Sequence, residues 1–267
     1  MNITTLNRLA MTVVISAALA ALSFPSHAQP QANAANEQAT EAKQNKQDKQ
    51  DKQDEKDNKK AHQQQQRLSQ QQQQERIRQQ QESLAQYRQK IALQQEIAQR
   101  NAQLLQQQKR LAHYRFQQAY YERMRQQQAQ LQQYDRYDFN NDPFYYTAPN
   151  YRYRRDGRYY ETNQYGADIL RQALNYGYQE GFQAGRADRQ DHWRFDYRQP
   201  FAYQDANYGY DGRYVRQDDY NHYFREGFRR GYEDGYYDRR KYGRNTNGSD
   251  SLLGAVLNAI LNLESLQ

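Results

Sequence analysis

The chain has 267 residues, no cysteine, 26 tyrosines and a formal net charge of +7. The absence of cysteine excludes a disulfide framework and thiol chemistry. Only 36% of the residues are apolar, too few to bury an ordinary core over the whole length, so one modest folded region beside much polar chain is expected. The basic excess sits in one half: Gln29 to Asp135 holds 18 basic and 12 acidic residues, and the chain from Arg136 onward holds 19 of each. A folded nucleic-acid module carries its basic patch on the structured domain, so this distribution argues against one.

Residues 1–28 read as a secretory signal peptide. Arg8 precedes an apolar run from Leu9 to Leu22, and Ser26-His27-Ala28 offers small residues where a signal peptidase reads. The run is shorter than the roughly 20 residues that span a bilayer. An exported protein of the bacterial periplasm or cell envelope is expected, with no transmembrane span after cleavage. Residues 29–61 include "KQNKQDKQDKQDEKDNKK" and read as a disordered charged tether.

Residues 62–133 are glutamine-dominated, without Gly or Pro, and predict a long helix. Ile77, Leu84, Ile91 and Leu105 share one seven-residue lane, and Ile97, Leu104 and Leu111 share a second beside it. That period is the coiled-coil signal. The seam is thin, because the positions three residues further on are Gln80, Tyr87, Gln94, Asn101 and Gln108. The pattern fits a dimeric or trimeric stalk, with self-association through the coiled coil, and equally a single polar helix.

Residues 134–164 hold Pro143, Pro149 and an Asp156-Gly157 pair, and read as an irregular Arg/Tyr-rich linker. Tyr151, Arg152, Tyr153, Arg154, Arg155 and Arg158 are candidate contacts for a polyanion or glycan, through cation–π stacking and charge.

Residues 165–267 form a Tyr/Gly-rich helical domain. "GYQEGFQAGRADR" (Gly177–Arg189) returns fifty residues later as "GFRRGYEDGYYDR" (Gly227–Arg239). Gly177, Gly181 and Gly185 match Gly227, Gly231 and Gly235, and Tyr178 and Phe182 match Phe228 and Tyr232. A four-residue shift also aligns well, which leaves the register of the duplication open. Residues four apart share a helix face, so each triplet makes a groove without side chains, flanked by an aromatic stripe. A soluble hairpin of close-packed helices is expected, over about 167–190 and 218–241, with rings lying in the grooves. Glu180, Arg186, Asp188, Arg229, Arg230, Glu233 and Asp234 exclude a lipid-embedded pair.

The connection between the two helices carries Pro200 and two glycine turns, and "DANYG" fails as a calcium loop because Tyr210 stands where glycine is required. Leu252, Leu253, Val256, Leu257, Ile260 and Leu261 predict a C-terminal amphipathic helix capped by Ser249 or Asp250. "YGYQEGFQAGRADR", "DANYGYDGRY" and "YFREGFRRGYEDGYYDR" together resemble uncharacterised exported bacterial proteins with paired Gly-Tyr helical repeats. The resemblance covers about residues 165–243 and implies no activity.

No catalytic constellation, phosphate loop or cofactor motif stands out. The fold class expected is mainly α: a disordered tether, a long Gln-rich helix, and a small domain on the glycine-rich pair with the C-terminal amphipathic helix. The function expected is a non-enzymatic cell-envelope protein, a helical spacer joined to a protein-interaction module with an envelope protein as partner. The alternative is binding of lipopolysaccharide, peptidoglycan or nucleic acid through the Arg/Tyr tract.

Overall fold

A computed structural model of the chain describes Lys56 and residues 67–131, 137–246 and 248–266. The expected signal peptide over 1–28 and, Lys56 apart, the tether over 29–61 lie outside the described residues. From residue 67 the described chain is mainly helical and belongs to one compact unit, residues 59–267. None of its helices is long and apolar enough to cross a membrane.

Where one uninterrupted Gln-rich helix is expected, the chain forms two. α1 (Gln70–Gln107) starts at a capping box, in which Gln72 N–H donates to Ser69 Oγ and Ser69 N–H donates to Gln72 Oε1. Lys109 then takes a left-handed φ of 59° and turns the chain into α2 (Leu111–Leu131). The two helices run antiparallel: Gln117 Nε2 donates to the Ala98 carbonyl (2.8 Å) and Arg88 to that of Leu131 (3.1 Å). The lane of Ile77, Leu84 and Ile91 is buried, together with Tyr87, against the rest of the same chain. This lane therefore meets its own domain, and not a second copy as a stalk would have it.

Residues 137–162 are more regular than a linker. Asp142 caps α3 (Pro143–Tyr146), accepting from Phe144 N–H at 2.8 Å. β1 (Tyr151–Arg155) and β2 (Arg158–Thr162) then form an antiparallel hairpin. Asp156 (φ 49°) and Gly157 (φ 79°) both take positive φ, as a two-residue type I′ turn demands. The Asp-Gly pair is the physical cause of the hairpin.

α4 (Gln164–Gln190) begins at Asn163, whose Oδ1 accepts from Gly166 N–H. A connection over 191–216, holding the single turn α5 (Phe201–Asp205), leads to α6 (Gln217–Tyr237). β3 (Gly243–Thr246) and β4 (Ser249–Leu252) form a second hairpin. Ser249 and Asp250 thus pair in a sheet instead of capping a helix. α7 (Gly254–Leu261) starts later and buries Leu257 and Leu261. β5 (Glu264–Ser265) pairs with β1, completing the order β2-β1-β5.

The glycines lie where α4 and α6 meet. A Cβ built on Gly181 would sit 2.8 Å from the Phe228 carbonyl carbon and 2.8 Å from Tyr232 N, and one on Gly231 would sit 2.8 Å from the Tyr178 carbonyl carbon. Gly177 faces Phe224 and Phe228, and Gly185 faces Tyr232 and Tyr236. Partner numbers rise together along both helices, so the helices run parallel and are no hairpin. The connection over 191–216 carries the chain back along them.

The facing backbone fills each groove, not a ring. Each glycine Cα–H is aimed at a carbonyl across the interface, the geometry of a weak Cα–H···O contact. The contacts repeat under a fifty-residue offset: Gly177 meets Phe224 as Gly227 meets Leu174, and Gly181 meets Phe228 as Gly231 meets Tyr178. A shift of 50 and not 46 is therefore the one that superposes the repeats in space, through a pseudo-twofold axis along the pair. Tyr178, Phe182, Phe228 and Tyr232 are buried beside the contact. On α6 the rings of Tyr220, Phe224, Phe228, Tyr232 and Tyr236 stack in a ladder, with centroids 6.0–6.4 Å apart.

Candidate functional site

Around this pair the domain buries carboxylates that the sequence suggests as solvated charges. Asp188, near the end of α4, is fully buried. Arg110 donates to its Oδ1 at 2.5 Å, His113 Nδ1 lies 2.6 Å from the same oxygen, and Tyr232 Oη donates to Oδ2 at 2.5 Å. Arg110 also donates to Gln199 (2.7 Å) and stacks on Trp193 at 4.4 Å. Asp191 accepts from the N–H groups of Ala112 and His113, capping the start of α2 from a distant part of the chain. Asp234 accepts from Tyr178 Oη and from the N–H groups of Lys241 and Tyr242. Asp205, the first residue of the rejected calcium loop, accepts from Tyr120 Oη at 2.5 Å and from Asn207. Among the described residues no group of His, Cys, Asp or Glu side chains could hold a metal ion.

The glutamines of α1 and α2 serve the irregular connection in the same way. Gln80 donates to the Gly212 carbonyl, and Tyr87 Oη donates to that of Tyr210. Gln127 donates to the Asn207 carbonyl (3.1 Å) and accepts from Gly209 N–H (2.7 Å). A buried loop leaves backbone groups without partners, and a seam of amides supplies them. That is the physical reason the seam is polar.

Two of these acids titrate in opposite senses. Burial would raise the pKa of Asp188, but the hydrogen bond from His113, with Tyr232 and Arg110, outweighs it and holds the carboxyl below its ordinary value. Its stabilisation is present above the unfolded pKa of about 4 and is lost as pH falls through the folded pKa. Burial pushes Glu180 up to about 6. Arg123 makes two hydrogen bonds to it, of 2.6 and 2.7 Å, but is 35% exposed, so solvent weakens the attraction and desolvation wins. Glu180 contributes stability that is full below about 4.5 and is lost as pH rises through about 6, on the order of 2 kcal/mol in all. The difference in unfolding free energy between wild type and Glu180→Gln should fall by that amount between pH 4.5 and 7. A flat difference in chemical denaturation across this range would show that the buried carboxyl is not raised.

The Arg/Tyr tract is only partly free. Tyr153 is buried, Tyr151 half-buried. Arg152 pairs with Glu264 (2.5 Å), and Arg155 pairs with the buried Asp219. Arg154 and Arg158 are exposed and have no carboxylate partner among the described residues. The six side chains therefore do not form one cationic strip. Tyr160 lies between the guanidinium groups of Arg155 (4.9 Å) and Arg216 (5.0 Å), and stacks on Tyr153 at 5.6 Å.

Those rings wall a cleft of about 490 Å³, within the size range of ligand sites. α1 contributes Arg76, Gln79, Glu82, Ser83 and Gln86 on one side, and β2 contributes Tyr160, Glu161 and Thr162 on the other. The sequence gives no local sign of it, because its two walls lie some eighty residues apart. No protein-family model, curated protein or solved structure matches the chain.

Proposed function

We propose that this chain is a non-enzymatic, exported cell-envelope protein acting as a helical protein-interaction module. One observation carries the reading. Leu93, Ile97, Leu104 and Leu111 are 66%, 46%, 51% and 55% exposed, along α1 and into the first residue of α2. Along α1 the first three follow at spacings of four and seven, with Leu111 standing beyond the turn at Lys109, while the lane beside them is buried in the domain. An exposed apolar lane at heptad spacing is the contact face of a helix that meets another helix. α1 then serves as both spine and contact face, and a second copy of the chain offers the matching lane.

Sedimentation of the mature chain tests this. Wild type should show a concentration-dependent dimer, and an Ile97→Gln, Leu104→Gln variant should remain monomeric with an unchanged melting temperature. A wild-type monomer at all concentrations would remove the self-association. Polyanion or glycan binding through residues 151–158 is the weaker alternative, since among the described residues only Arg154 and Arg158 of its arginines lack carboxylate partners.

A further inference from the structure

We propose that the open edge of β2 is a docking site for an extended peptide, which adds as a strand in the cleft between β2 and α1. The type I′ turn makes Arg155 and Arg158 a hydrogen-bonded pair, and pairing alternates along the hairpin. Tyr153 with Tyr160 and Tyr151 with Thr162 are then the further bonded pairs. The N–H and C=O groups of Tyr159 and Glu161 consequently point away from β1. β2 is the terminal strand in the order β2-β1-β5, and no described residue bonds to these backbone groups. An unpaired strand edge is a template for a further strand.

The surroundings make this edge a site and not a bare rim. Gln79, Ser83 and Gln86 of α1 recur at helical spacing on the cleft's far side, where they can bond the outer edge of an added strand. Tyr160, Phe144, Tyr214 and Val215 offer apolar surface to alternate side chains.

The charges of the cleft point to the chemistry of the occupant. Arg216 is held by Asp219 at 3.0 Å, and Arg76 donates to the carbonyls of Phe144 (2.9 Å) and Thr147 (3.1 Å). Glu161 is exposed on the edge and has no basic partner among the described residues. Arg154 and Arg158, the exposed arginines at the turn end of the hairpin, do not line the cleft, so within it the occupant is an extended peptide with a Lys or Arg opposite Glu161. This proposal rests on the β2 edge alone and is independent of the exposed lane of α1.

The test is a random heptapeptide phage library selected on the mature chain alone, the selected peptides then being measured on Glu161→Pro and, to separate loss of the charge, on Glu161→Gln. Proline removes the outward N–H of residue 161 and leaves the β1 ladder intact, as edge strands allow. Selected peptides should carry Lys or Arg and bind Glu161→Pro on the order of tenfold more weakly or worse. They should also slow hydrogen exchange at the Tyr159 and Glu161 amides. If Glu161→Pro proves unfolded, backbone N-methylation of the selected peptide decides the matter. Methylation at one set of alternate residues should abolish binding, and methylation at the other set should be tolerated. Failure to select any peptide, equal tolerance of both methylation sets, or slow exchange of the two amides in the free protein would overturn the proposal. A monomeric chain that still binds peptide would sink the self-association reading and leave this one standing.

Discussion

Gly181→Leu or Gly231→Leu lowers the melting temperature by roughly 10 °C or more, although leucine is the better helix former. Propensity favours leucine over glycine by about 0.8 kcal/mol. Against that, even the first added carbon meets main chain: the Phe228 carbonyl carbon and Tyr232 N at 2.8 Å from Gly181, and the Tyr178 carbonyl carbon at 2.8 Å from Gly231. Overpacking costs about 1–3 kcal/mol where side chains can give way. A backbone carbonyl cannot rotate aside, so α4 and α6 must separate and the ladder of rings beside them loses its packing. A net loss of about 4 kcal/mol, at about 2–4 °C per kcal/mol for a domain of this size, gives the stated shift. Gly181→Ala falls on the same side with a smaller loss. Gly254→Ala is the control, since Gly254 has an ordinary φ and nothing within 4 Å of the built Cβ. Its melting temperature should stay level or rise. A melting curve unchanged at both 181 and 231 would contradict the backbone contact.

Asp188→Ala has the second large effect. It removes the carboxylate while Arg110 stays 2% exposed, with Tyr232 also buried around it. Removing one partner of a buried ion pair costs about 3–5 kcal/mol, because the other charge is left without compensation. Thermal unfolding should move down by roughly 10 °C. Trp193 is the only tryptophan and stacks on Arg110, so its fluorescence reports this cluster and no other. Its emission should shift to the red in Asp188→Ala under native conditions. A double-mutant cycle with Arg110→Ala should give a coupling of about 2 kcal/mol or more, and additive effects would show the two groups to be independent.

These two predictions draw on parts of the structure that were unequally readable in the sequence. Glycine at a four-residue spacing marks a helix face without side chains, because the missing Cβ is a local property. Whether the facing helix runs parallel is not local. It depends on the path of 191–216, which turns at Ala206, Gly209 and Gly212 with positive φ and rests on the amides of α1 and α2. The β1–β2 hairpin was legible in the Asp156-Gly157 pair between runs of alternating Tyr and Arg, but the prolines nearby favour an irregular reading.

The Asp188 cluster was hidden for a different reason. From just before α2 and on along the helix, Arg110, His113, Gln117, Tyr120, Met124, Gln127 and Leu131 follow a strict alternation of three and four. All but the half-buried Gln127 are buried. A search for apolar periodicity passes over this seam, because four of the seven side chains are polar or charged. Their burial becomes tolerable only through partners far along the chain, Asp188 and the Asn207 carbonyl among them. The same applies to Glu180 and Asp234, whose sequence neighbours suggest a solvated face.

Parallel packing of α4 and α6 also fixes an electrical polarity. Antiparallel neighbours cancel their macrodipoles, whereas parallel ones add, placing two positive ends together and two negative ends together. The chain answers at both poles. Asp218 and Asp219 occupy the first turn of α6, and Asp219 draws in Arg155 and Arg216. At the other pole Arg189 lies in the last turn of α4 and Arg239, Arg240 and Lys241 follow α6, with Arg189 reaching Asp238 across the two ends at 3.2 Å. Part of the even count of acids and bases in this half of the protein thus answers a dipole, with Asp218 and Asp219 at its positive end and Arg189, Arg239, Arg240 and Lys241 at its negative one.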